Sequence, residues 1–78
     1  MKLKNFIKQI DPVIDVIIWE SDDEDEPSFE GALFNIPHRL INKKIGRKKD
    51  EKEEPVYISI KKNKFNVELP VIVINVLS

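Results

Sequence analysis

The stretch from Val56 to Leu77 constrains this chain most, because it alternates apolar and polar side chains twice in succession. Val56, Ile58 and Ile60 alternate with Tyr57, Ser59 and Lys61. After the break Lys61-Lys62-Asn63-Lys64, the residues Phe65, Val67 and Leu69 alternate with Asn66 and Glu68. Successive side chains of a strand point to opposite faces, so a period of two in β-branched and aromatic residues is a strand pattern. Two such runs around a short break containing Asn, which tolerates positive φ, predict a β-hairpin. A loop at 61–64 pairs Ile60 with Phe65, Ile58 with Val67 and Val56 with Leu69, and puts all of them on one face. Burial there would contribute roughly 1.5–3 kcal/mol per side chain before chain entropy is subtracted.

Pro70 interrupts the second strand and, lacking an N–H, belongs at an edge or a bulge. Beyond it Val71-Ile72-Val73-Ile74 is apolar on both faces. In the register above, this tail runs past its hairpin partner and lies opposite Glu51 to Glu54, so it needs another neighbour. Two placements stay open: a central strand beside the first strand, or an edge covered by a second copy of the chain. Two short helices cover one face of a sheet readily and the second with difficulty. Val71, Ile72, Val73 and Ile74 are therefore the candidate interface of a symmetric homodimer.

Upstream, Leu3, Phe6, Ile7 and Ile10 are spaced i, i+3, i+4, i+7, which predicts a short amphipathic helix ended by Asp11-Pro12. Val13 to Trp19 predicts the first strand, with Ile14, Val16 and Ile18 on one face and Val13, Asp15, Ile17 and Trp19 on the other. Both faces are largely apolar, as in a central strand. Ser28 to Phe34 predicts the second strand, with Gly31 marking a bulge or a close helix approach. A second helix is expected from Pro37 to about Lys44, with Asn35 as cap and Ile36, Leu40 and Ile41 buried. His38 falls in its first turn as a surface residue.

The charged residues, 35% of the chain, lie in blocks that the net charge of −1 conceals. Asp22, Asp23, Glu24, Asp25 and Glu26 are consecutive carboxylates that repel one another and stay solvated. They are the candidate contact for a basic partner surface; calcium is disfavoured, since no glycine turn or EF-hand spacing accompanies them. Lys43, Lys44, Arg47, Lys48 and Lys49 form a basic cluster that could meet phosphate. Asp50, Glu51, Glu53 and Glu54 offset it, and no aromatic interleaves it for base stacking, so nucleic-acid binding is the weaker alternative.

Catalysis by a nucleophile needs an activating base within reach. The chain has one histidine, no cysteine, and serines scattered at Ser21, Ser28, Ser59 and Ser78; its two glycines make no phosphate loop. No enzyme, cofactor or metal site is expected. Absence of cysteine suits the cytosol. No signal peptide is legible in the first ten residues, and no apolar run approaches the roughly 20 residues of a membrane span.

The opening Met1-Lys2-Leu3-Lys4-Asn5-Phe6-Ile7, the Val16-Ile17-Ile18 strand, the Phe29-Glu30-Gly31 step and Ile36-Pro37 followed by Leu40 resemble small uncharacterised accessory proteins of phages and prophages of low-GC Gram-positive bacteria. The resemblance covers about the first 45 residues; the charged 46–54 loop and the apolar tail depart from it. It implies an accessory protein that binds and blocks a host factor in the host cytoplasm, such as an anti-CRISPR or other anti-defence inhibitor, and it carries no catalytic residues. The expected fold is a small single α+β domain in the order α-β-β-α-β-β, an antiparallel sheet with helices on one face. The expected function is non-enzymatic binding of a host protein. A self-associating structural protein using the C-terminal strand is the alternative.

Overall fold

The computed structural model describes residues 1–20, 25–47 and 54–77. Its elements are α1 (Leu3–Ile7), β1 (Asp15–Trp19), β2 (Phe29–Ala32), a 3-10 turn at Leu33–Asn35, α2 (His38–Ile41), β3 (Val56–Lys62) and β4 (Glu68–Asn75). The strands form one sheet in the order β2-β1-β4-β3. β1–β2 and β3–β4 are antiparallel, but β1 and β4 run parallel, so this α+β fold has a mixed sheet where an antiparallel one was expected. Of the hairpin's two strands, β4 carries apolar side chains on both faces beyond Pro70 and takes the inner position. The hairpin's direction then makes it parallel to β1.

The expected hairpin register is corrected. Ile60 pairs with Pro70, Ile58 with Ile72 and Val56 with Ile74. The cause is Asn63. Its side-chain oxygen accepts the Phe65 N–H at 2.9 Å and the Val67 N–H at 3.1 Å, and its carbonyl accepts the Asn66 N–H at 3.0 Å. Asn66 has a φ of 62°, so the turn is Lys64-Phe65-Asn66, a three-residue loop ending in a left-handed residue. Moving the turn from 61–64 shifts the pairing by an odd number of residues, which puts Leu69 on the face of Lys61, Ser59 and Tyr57.

The tail becomes the inner strand. Val16, Ile17, Ile18 and Trp19 pair with Ile72, Val73, Ile74 and Asn75. Val71 (2% exposed), Val73 (4%) and Ile74 (0%) are buried and Ile72 is half-buried. The surface that these four were expected to offer a second copy is thus filled by the chain's own neighbours. On the other face Val73 lies between Ile17 and Tyr57, and Lys61 of β3 forms an ion pair with Glu30 of β2. Pro70 loses no ladder bond. The Asn63 N–H bonds the Val67 carbonyl and the Asn75 N–H bonds the Pro55 carbonyl, so the odd residues of the hairpin bond across it. Pro70 therefore faces the other way, where β4 runs past the start of β1.

On the opposite face, Leu3 of α1, Leu40 of α2, Leu33, Val16, Ile18, Ile74 and Val76 form the core, with Ile7, Ile10, Ile36, Ile45 and Val56 against it. Neither helix has a side-chain cap, and neither exceeds five residues, so packing holds them. α1 stops short of Ile10 because the chain tightens into Gln9 N–H to Phe6 and Ile10 N–H to Ile7 carbonyl bonds before Pro12. Asn35 does not cap α2; it lies in the 3-10 turn, and Pro37 takes that position. α2 ends early because residues 43–46 are laced between the two ends of the described chain. Leu3 N–H bonds the Lys43 carbonyl (2.9 Å), Ile45 N–H bonds Met1 (2.9 Å), and Leu77 N–H bonds Lys44 (2.8 Å).

Gly31, at a φ of 157°, meets its own strand and, among the described residues, no helix: a Cβ there would stand 3.3 Å from the Phe29 ring. No helix among the described residues is long and apolar enough to cross a membrane.

Candidate protein-binding site

The corrected register leaves the hairpin's apolar side chains from Ile58 to Leu69 outside the core. Ile58 (75% exposed), Ile60 (67%) and Phe65 (73%) stand in solvent, with Tyr57, Val67 and Leu69 also exposed. An isolated exposed leucine means little, but this many on one hairpin make it the candidate interaction surface.

Where β4 runs past β1, a groove of about 410 Å³ opens. Leu69, Pro70 and Val71 form its apolar side; Lys61, Lys62, Asn63 and Lys64 form its basic side; Asp15 closes it at the first residue of β1. The Asn63-centred turn positions this group, since it fixes where Lys64 and Phe65 leave the strand. The Lys64 ammonium lies 5.2 Å from the Phe65 ring centroid, which gives the tip a cation–π contact. The groove can seat apolar side chains next to carboxylates. Its polar lining is three lysines, one asparagine and one aspartate.

Of the sequence-predicted candidates, Val71 lines the groove and the charged clusters lie elsewhere. Asp22, Asp23 and Glu24 fall outside the described residues, while Asp25 and Glu26 are exposed. Of the basic cluster, Lys48 and Lys49 fall outside the described residues. Lys43 has its ammonium 3.7 Å from the Glu20 carboxylate, and Lys44 belongs to the strap that joins the chain ends. The structure thus draws Lys43 and Lys44 into the scaffold. Among the described residues, no group of three or more His, Cys, Asp or Glu is placed to hold a metal ion. Lys61, Lys62 and Lys64 were legible in the sequence only as a polar break. The signal that could have found their role was Asn63 followed by Asn66, the spacing of the observed turn.

Glu20 has a clear electrostatic role. Its side chain is bonded to the Arg39 guanidinium of α2 and lies near Lys43, which ties the end of β1 to α2. The bond from Arg39 holds its carboxyl below the ordinary 4.5; partial burial opposes this, and Ser28 and Lys43 assist it. A carboxylate with a lowered folded value stabilises the fold fully above its unfolded value and loses that effect as the pH falls through the folded one. Glu20→Gln is therefore expected to lower the melting temperature at pH 7 and to flatten its decline below pH 4.5, the ordinary value. Parallel acid limbs for the two proteins in thermal melts would rule out this coupling.

The fold and this surface define a small α+β chain with a mixed four-stranded sheet and an open apolar hairpin. Comparison with protein-family models, with curated proteins and with solved structures finds no match.

Proposed function

We propose that this chain is a non-enzymatic protein-binding module whose hairpin tip seats a partner segment carrying both apolar and acidic side chains. The observation that carries the reading is the groove, where Leu69, Pro70 and Val71 meet Lys61, Lys62 and Lys64 beside the exposed Phe65 and Val67. Apolar area removed from water drives such an association at roughly 25 cal/mol per Å², and the lysines steer it and select acidic partners. The resemblance of the first 45 residues to phage accessory proteins supports a host protein as the partner, in the host cytoplasm, with blockade of that protein as the result. Asp22 to Glu26 then take no part in the contact.

Comparative capture from a host lysate tests this with three immobilised proteins: wild type, Lys62→Glu/Lys64→Glu, and a variant with residues 22–26 changed to Asn and Gln. A protein held by wild type and by the loop variant, released by salt, and lost from the lysine variant is the expected result. Loss from the loop variant alone would move the site to Asp22–Glu26. Equal capture by all three would remove the hairpin reading.

A further inference from the structure

We propose that two copies of this chain pair through the outer edges of β3, antiparallel about a two-fold axis at Ser59, joining their two sheets into one. The pairing uses the backbone edge of β3 and the groove uses side chains, and the two surfaces share Lys61 and Lys62. Because the odd residues of β3 bond to β4, the N–H and C=O groups of Val56, Ile58, Ile60 and Lys62 point outward, and no described residue pairs with them. The flanking side chains Ile58 and Ile60 are among the most exposed large apolar groups of the chain. Val56 to Ile60 contains no proline, glycine or charge, the usual protections of an open edge.

The occupant that fits is a second copy, because the strand is complementary to itself. With Ser59 on the axis, Ile58 faces Ile60 of the second copy, Val56 faces Lys62, and Tyr57 faces Lys61. All four outward residues then find outward partners, giving about eight backbone bonds from one donor and one acceptor each. Sliding by two residues either way leaves one end without a partner in the strand. Isoleucines from both copies gather on the helix-bearing face. No like charges are opposed across the axis.

The chain has no cysteine, so a single introduced thiol reports one contact cleanly. Across the axis the two Ser59 positions form a pair without backbone bonds, whose Cα atoms come within about 4.5 Å, inside disulfide range. Ser59→Cys is expected to give a covalent dimer on mild oxidation. Tyr57→Cys, whose thiol faces position 61, should give little. Sedimentation of the wild type at high micromolar concentration should give twice the 9.1 kDa chain mass. Ile58→Lys/Ile60→Lys, which sets lysines against each other across the axis, should give a monomer with an unchanged circular dichroism spectrum. If that variant unfolds, the wild-type mass and the cysteine pair decide the matter alone. A monomeric wild type, or equal crosslinking at positions 57 and 59, would overturn the pairing while leaving the groove reading to the capture experiment.

Discussion

Ile74→Asp is expected to leave the chain unfolded at neutral pH, by loss of its far-ultraviolet and near-ultraviolet dichroism. Ile74 is fully buried in the core cluster, on the inner strand between Ile18 of β1 and Val56 of β3. A carboxylate there has no cation to meet among the apolar groups of the cluster. The cost of burying an unpaired charge reaches several kcal/mol, comparable with the whole stability of about 5–15 kcal/mol of an ordinary domain. Ile58→Asp lies on the same face one strand further out, at an exposed site, and is expected to fold. A folded Ile74→Asp protein would mean that β4 is not the inner strand.

Leu40→Ala is expected to cost about 2–5 kcal/mol, the range for removing a buried leucine side chain. α2 has four residues and no side-chain cap, so it has almost no stability of its own. Leu40 is its fully buried residue and links it to Leu3, Leu33 and Ile74 in one cluster. In a domain this small each kcal/mol moves the melting temperature by roughly 4–8 °C, so the loss is large in a thermal melt. Phe34→Ala, at an exposed position just upstream, serves as the control and should change little. A drop of less than about 1 kcal/mol at Leu40, against the range for such sites, would show that the helix contributes little to the core.

The α+β class and the grouping of Val16 with Ile18 on one face of β1 are legible in the sequence, because the two alternate along the strand, and both belong to the core. The parallel pairing of β4 with β1 is not legible, since a run such as Val71-Ile72-Val73-Ile74 is apolar on both faces and carries no mark of direction. The hairpin register was misread for a different reason. Equal alternation on both sides of the break invites pairing of Val56, Ile58 and Ile60 with Leu69, Val67 and Phe65, and the shared apolar face looks like a core. Local hydrogen bonding by Asn63 decides the turn instead, and the apolar groups that it displaces become surface. The candidate site was hidden for the same reason: its lysines become a site only after the turn has moved.

Pro70 has a consequence for how far an assembly of this protein can grow. The length of β4 beyond β1 is a second place where a foreign strand could lie against the sheet, and stacking strand on strand there would propagate without closing. Such growth needs a donor at every second residue of the template, and Pro70 withholds one in the middle of the uncovered length. Whatever occupies the groove must therefore be held by its side chains, and the hairpin is left with one edge able to extend the sheet.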